Sequence, residues 1–400
     1  MSRNHCKLVQ LGLVTALGIT HEQNWKCISA GDATHLTLRN DLIRDEERLF
    51  GAVTESLPPI PEIFERFACR TNQLALAALE GLRPEVDAAI EKFGAHRVGV
   101  VVGSSTVGVH ETETFLRTRE KSGEPLNQID GGLLEYAVLC EFIQEASGAG
   151  GPCYSLSTAC SSGAKALGSA RRLLELGVCD AVITGAADSL CGLTANGFDS
   201  LQALSSDTLN PMSVHRDGLI LGEAAALFLL TREPGGIQLA GVGESSDAHH
   251  ISSPLPDGGG AYRAMQACLG DSGLETRDVA YLNLHGTGTP QNDAMESAAV
   301  HRLFGDRVPC SSTKPLVGHT LGASGAVEAA FCWLMLRNRR DGELSLLPHV
   351  YDGVKDPELA PIDLVHTGNT AKVPTRAAIM SNSFGFGGSN CSILLTEGGA

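Results

Sequence analysis

Positive charge is what this chain has least of: 30 Lys and Arg stand against 46 Asp and Glu, a formal net charge of −16. Nucleic acid and anionic membrane surfaces both favour positive fields, so a general role on either is excluded. An acidic partner could dock only on a local basic patch. Long apolar runs are also missing. The start, "MSRNHCKLVQLGLVTALG", is too short and too interrupted by polar residues for a signal peptide or a membrane span, so a cytoplasmic location is expected. Paired cysteines are absent too. The twelve cysteines, at 6, 27, 69, 140, 153, 160, 179, 191, 268, 310, 332 and 391, include no Cys-x-x-Cys pair. Nor do they form a Cys/His cluster of zinc-finger spacing, so neither a disulfide framework nor a metal site is expected. In a reducing compartment most would be small core hydrophobes. Low-complexity tracts and short-period repeats are lacking as well.

What is present is alternation. "RVGVVVGSS" (97–105), "DAVITGAADSL" (180–190) and "AAALFLLTR" (224–232) read as buried strands, with helical patterns between them, and "PGG" (234–236) then interrupts. The scheme restarts with strand "IQLAGVGESS", a helix around "AYRAMQACLGDSG" and strand "VAYLNLHGTG". Helix "DAMESAAVHRLFG" follows, then "STKPLVGHTLGASGAVEAAFCWLML" and final strands in "AAIMSNSFGFGGSNCSILLTE". This pattern predicts an α/β fold with helices on both sheet faces. The restart predicts two similar halves, 1–233 and 234–400. The charged, irregular stretch 104–150 is a candidate insertion or cap.

In "SLSTACSSGAKALGSARRLLELG" (155–177), Cys160 stands where a helical pattern begins. Unpaired amides and the positive end of the helix dipole there favour an anion, so a lowered thiol pKa and a nucleophilic thiolate are expected. The small neighbours Ala159, Ser161, Ser162 and Gly163 would let a substrate approach the sulfur. "LHGTGTPQND" (284–293) puts His285 at a strand end before a Gly/Thr turn, where α/β sheets keep their chemistry. "SSTKPLVGHTLGASGAVEAA" (311–330) holds Lys314, His319 and Glu328, and "NSFGFGGSN" (382–390) weaves glycines among two phenylalanines. The last is no phosphate loop, since no Lys-Ser/Thr follows and no strand–loop–helix surrounds it.

Together, "STACSSG", "HGTGTP", "STKPLVGHTLGASG" and "NSFGFGGSN", with "GLVTALG" near the start and "RDGLILGEAAALFLL" (216–230), resemble the β-ketoacyl-acyl-carrier-protein synthases of the condensing-enzyme group. The resemblance implies the thiolase fold, two halves forming a five-layer αβαβα sandwich. It implies decarboxylative condensation of a malonyl group with an acyl group carried on Cys160. His285 and His319 would donate N–H bonds to the malonyl thioester oxygen. Lys314 and Glu328 would form a buried pair beside the second histidine. The amides of Cys160 and Phe386 would form the oxyanion hole, and Phe386 would gate the acyl channel. Thr287 and Thr289 would bind phosphopantetheine amides, with Phe384 and Gly387 also against the substrate.

No metal or cofactor of its own is implied, because phosphopantetheine arrives on the acyl-carrier protein. That acidic partner would dock on Arg66, Arg70, Arg117, Arg119 and Lys121. A dimer is implied, either a homodimer or a heterodimer with a chain-length-factor-like subunit. Three stretches depart from the housekeeping pattern: "GEAAAL" (222–227), "QNDAMES" (291–297) and "NGFDSLQALSSDTLNPMS" (196–213). The last of these resembles synthases of aryl-polyene or type II polyketide pathways more closely. The alternatives are a thiolase-type acyltransferase, which would need a second cysteine as base, and a non-catalytic chain-length or scaffold subunit.

Overall fold

The computed structural model describes residues 6–44, 46–123, 131–373 and 377–398. Strands β1 (Cys6–Val14), β4 (Val98–Gly103), β5 (Cys153–Leu156), β6 (Ala181–Asp188) and β7 (Ala224–Thr231) lie in the spatial order β5-β4-β6-β7-β1. The second half repeats it: β8 (Ile237–Ser246), β9 (Val279–Asn283), β10 (Pro309–Ser311), β14 (Ala378–Gly385) and β15 (Ser389–Glu397) lie in the order β10-β9-β14-β15-β8. In both sets the first three strands run parallel and the last two pairings are antiparallel. The sets join through β1 and β8 at Cys6↔Leu239 and Lys7↔Gln238, and β12 (Asp363–Leu364) extends the far edge. Two small pairs stand apart, β2 (Thr37–Arg39) with β3 (Arg48–Phe50) and β11 (Glu343–Ser345) with β13 (Thr370–Lys372).

Strands β4, β6 and β7 are buried at every residue, as a sheet covered on both faces requires. Between the two sets lie α6 (Ser162–Glu175) and α11 (Ser324–Arg337), which pack on each other and on strands of both halves. Every residue of α11 from Ser324 to Leu336 is buried, so it has no polar face, as expected of a helix inside a central layer. Outside, α2 (Arg70–Glu80), α3 (Arg83–Phe93) and α5 (Ala137–Ser147) cover the first set; α8 (Gly259–Ser272) and α9 (Pro290–Phe304) pack together over the second. This gives five layers, helix–sheet–helix–sheet–helix. Further helices include α1 (His21–Ala30), α7 (Gly192–Ser200) and the single turn α10 (Lys314–Val317).

The segment 104–150 is not one cap. Its second part, α5, buries Val138, Leu139, Phe142 and Ile143 and belongs to the outer layer. Its first part, α4 (Val109–Ser122), buries none of its residues and rides on the surface against α7. Residues 124–130 lie outside the described residues. Among the described residues, no helix is long and apolar enough to cross a membrane.

Candidate active site

Cys160 follows β5 and immediately precedes Ser161, the N-cap of α6. Ala159 is held at φ +52°, a conformation costing a side-chain-bearing residue on the order of 1–2 kcal/mol. Two serine hydroxyls offset that strain. Ser162 Oγ donates to the Ala159 carbonyl (2.6 Å) and accepts from the Thr158 amide (2.8 Å), while Ser161 Oγ donates to the Thr158 carbonyl (2.8 Å). The side chain is thereby turned inward, and Cys160 is left only 5% exposed.

The expected fall in the thiol pKa does not occur: burial pushes Cys160 up to about 11. The Lys314 charge and the backbone amides of Phe386 and Cys160 pull it down without offsetting that burial. The magnitudes explain the outcome. A helix terminus contributes about 0.3–1 kcal/mol, under one pKa unit, whereas full burial can move a group by roughly 3–5 units.

His285 stands two residues beyond β9, on a turn gripped by Glu296 of α9. The His285 and Gly286 amides donate to its two oxygens at 2.8 and 2.7 Å. Gly286 (φ +40°) and Gly288 (φ +76°) make the turn possible, and a Cβ at Gly288 would sit 2.5 Å from Leu209. His319 lies between α10 and α11. Its amide donates to the Ile220 carbonyl (2.6 Å), and its carbonyl accepts from the Gly222 amide (2.9 Å). These bonds bring His319 Nε2 to 3.0 Å from Cys160 Sγ. The two imidazoles meet edge to face, ring centroids 5.4 Å apart at 87°. One ligand atom from each of Cys160, His285 and His319 lies within 4.8 Å of the others, a spacing that could also hold a soft metal ion.

Lys314 was expected beside the second histidine, but the structure sets it against the first. Its ammonium donates to Glu328 Oε1, to the His285 carbonyl (2.5 Å) and to His285 Nδ1 (3.3 Å), which uses all three of its protons. The placement follows from topology: β10, which leads into Lys314, pairs with β9, which leads into His285. An ammonium can only donate, so Nδ1 of His285 must accept, and the ring carries its proton on Nε2. Burial, followed by the Lys314 charge, holds both histidines well below their ordinary pKa, so both are neutral. Burial raises Glu328 to about 7, with Lys314 pulling the other way.

Besides Glu223, three buried acids escaped the sequence reading. Glu296, raised by burial to about 7, holds the His285 turn. Asp293 accepts from the amides of Met212 (2.8 Å) and Gly288 (3.2 Å). Asp188 accepts from the Ser105 and Thr106 amides (both 2.7 Å) and the Ala323 amide (3.0 Å), linking the β4 exit to the approach to α11. A signal for the first two existed: Asp293 and Glu296 sit three apart in a helix, on the face that Val300 and Phe304 bury.

Two clefts meet at the sulfur. One, of about 290 Å³, is lined by Cys160, both histidines, Thr287, Thr289 and Phe384. The other, of about 260 Å³, is lined by Ser105, Tyr136, Ala159, Thr194 and Leu321. Cys160, Phe198 and Phe386 border both, and the two phenyl rings lie 5.4 Å apart. Phe384 lies with its ring 5.9 Å from that of His285, and Thr287 and Thr289 share a hydroxyl hydrogen bond (2.9 Å). Gly387 lines neither cleft; its amide donates to the Ile251 carbonyl (2.7 Å).

The five basic residues expected to dock a carrier line neither cleft. Arg70 is a correction. Its guanidinium binds the buried carboxylate of Glu223 (2.6 Å) and the Val53 carbonyl (2.8 Å), an internal brace rather than a docking group. Arg66 is exposed, pairs with Glu145 and covers the Phe67 ring. Arg117, Arg119 and Lys121 lie on α4, with Arg119 over the Phe115 ring.

Comparison with known proteins agrees with this geometry. Residues 9–234 match the family described as beta-ketoacyl synthase, N-terminal domain, and residues 237–340 match beta-ketoacyl synthase, C-terminal domain. A 3-oxoacyl-[acyl-carrier-protein] synthase 2 from Staphylococcus aureus is 32% identical over 343 residues, covering 81% of this chain and 83% of that protein. Among solved structures, a chain from the ketosynthase (ApeO) in complex with its chain length factor (ApeC) from Xenorhabdus doucetiae is 37% identical. It superposes with a TM-score of 0.92 over 99% of this chain and 98% of that one. A beta-ketoacyl synthase from Burkholderia phymatum STM815 is 30% identical, with a TM-score of 0.85 over 99% and 100%.

Proposed function

The chain belongs to the β-ketoacyl synthase family, and from that premise we propose that it condenses malonyl-carrier with an acyl group held on Cys160. The observation that carries this reading is the 3.0 Å approach of His319 Nε2 to a sulfur that also lies within 4.8 Å of an imidazole nitrogen of His285. In the loading half, Cys160 Sγ attacks the acyl thioester. The resting thiol is protonated, and His319 Nε2 is the nitrogen within reach of that proton, which ends on the departing carrier thiol. The Phe386 and Cys160 amides already bear on the sulfur and suit the oxyanion formed beside it. One such donor is worth about 3 kcal/mol of barrier.

In the second half the malonyl group loses carbon dioxide, and the carbanion attacks the acyl-Cys160 carbonyl. The thioester enolate oxygen takes hydrogen bonds from His285, whose proton Lys314 keeps on Nε2, and from His319 once its single ring proton has shifted from Nδ1 to Nε2, a tautomer change left open because Nδ1 has no protein partner. Neutral imidazoles are the right donors, because they add no proton that would quench the carbanion. Thr287 and Thr289 offer hydroxyls along the cleft to the neutral pantetheine arm, and Phe386 stands between malonyl and acyl sides. No second cysteine lines either cleft, which counts against a thiolase reaction, and a retained thiol counts against a scaffold.

The partners on this reading are an acyl-carrier protein and a second synthase-fold subunit, either another copy or a chain-length-factor-like one. Carrier docking by exposed Arg66, Arg117 and Lys121 and half-buried Arg119 remains part of the proposal. A cytoplasmic, reducing setting suits a catalyst whose thiol must stay free. The deciding assay follows carbon–carbon bond formation from malonyl-carrier with saturated and with polyenoyl or aryl-acyl carriers, using Cys160→Ala as control. Turnover that depends on Cys160 supports the reading, and turnover that survives its removal overturns it. Preference for long saturated chains would assign the protein to fatty-acid synthesis rather than a secondary pathway.

A further inference from the structure

Away from the clefts, the end of α1 gathers a thiol, a carboxylate and an imidazole that the condensation does not use. We propose that Cys27, Asp32 and His35 bind one divalent transition-metal cation of the zinc class. The backbone creates the juxtaposition. Helix α1 stops at Ala30, and Gly31 takes a left-handed φ of +70°. The Asp32 amide then donates back to the Cys27 carbonyl (3.1 Å). This reversal carries Asp32 and His35 back over the last helical turn, so that one ligand atom from each of the three residues lies within 4.8 Å of the others.

The spacing suits a tetrahedral ion. Oxygen and nitrogen ligands at about 2.0–2.1 Å from zinc stand about 3.3 Å apart, and Asp32 Oδ2 lies 3.4 Å from His35 Nε2. That edge is therefore already at its bound length. A sulfur at about 2.3 Å from the ion stands about 3.6 Å from the other two ligand atoms, a closing movement of at most about 1.2 Å from the present limit.

The carboxylate is also supported from behind. Its Oδ1 accepts from the Thr34 amide (3.1 Å) and hydroxyl (2.6 Å), which leaves Oδ2 facing the imidazole. Cys27 is half-buried against the core, whereas the Asp32 and His35 side chains are 39% and 33% exposed, so an ion can enter from solvent and keep a water as fourth ligand. One thiolate, one imidazole and one carboxylate select zinc or cobalt over magnesium or calcium. On binding, the Cys27 S–H proton is released to solvent and a sulfur–metal bond replaces it, with no change of oxidation state.

The catalytic trio Cys160, His285 and His319 has the same spacing and would compete for metal. The experiment therefore titrates cobalt(II) into the full-length Cys160→Ala chain and follows the thiolate-to-cobalt charge-transfer band. The expected result is a band that saturates at one cobalt per chain and is displaced by zinc. It should vanish in Cys27→Ser and weaken about tenfold or more in apparent affinity in His35→Gln, a partly exposed change that keeps the test open if Cys27→Ser misfolds. Absence of a saturable band, or a band unchanged by His35→Gln, overturns the proposal and leaves the condensation chemistry untouched.

Discussion

Helix α6 opens on Ser162-Gly163-Ala164, helix α11 opens on Ser324-Gly325-Ala326, and the two openings interlock. A Cβ on Gly163 would lie 2.7 Å from the Ala326 nitrogen, and one on Gly325 would lie 2.8 Å from the Ala164 nitrogen. From these matching starts the halves diverge. The first places its sulfur by backbone shape: a strained Ala159, two serine hydroxyl staples and side chains small enough for close approach. The second places His285 by charge: Lys314 against His285 and Glu328, with Glu296 under the His285 turn. A site placed by shape should fail when volume is added, and one placed by charge when a charge is removed.

The largest expected effect separates burial from helix dipole at the sulfur. Because the Cys160 pKa is raised to about 11, little thiolate exists at neutral pH, and the fraction grows as pH climbs toward that value. Iodoacetamide labelling of Cys160 should therefore accelerate about tenfold per unit from pH 7 to pH 10. A plateau below pH 8 would mean that the dipole prevails after all.

Next comes Lys314→Met, which leaves Glu328 buried without its partner and frees the His285 tautomer. Breaking such a pair costs about 3–5 kcal/mol of stability. Condensation should fall about a hundredfold, while loading of Cys160, which uses His319 rather than His285, should fall less than about tenfold. Equal losses in both steps would erase the division of labour. Gly163→Ala tests the opposite side: overpacking at the α6–α11 contact should cost about 1–3 kcal/mol by urea unfolding, because backbone must move. The smallest effect is at the cleft wall. Thr287→Val removes one hydroxyl hydrogen bond, about 1 kcal/mol, and should raise KM for carrier substrates about fivefold with kcat nearly unchanged.

Much of this was legible beforehand because buried strands and helix starts leave local marks. The β-branched runs of β4, β6 and β7 and the small residues after Cys160 are of that kind. What escaped depends on neighbours distant in sequence. Arg70 reads as an exposed cation until Glu223 is found beside it, and Lys314 stands beside His285 only because β9 and β10 pair. Helix α5 was hidden inside a charged stretch because its apolar face is short. The Cys160 pKa departs from the sequence expectation for the same reason, since burial is a property of the packed molecule.

The most direct test of the whole account is the mass of the chain after acyl-carrier alone and then after malonyl-carrier. One acyl group is expected on the peptide containing Cys160, discharged by malonyl-carrier as a β-keto product two carbons longer, with one carbon dioxide released per discharge. An acyl group found on another residue, or discharged without carbon dioxide, would contradict it.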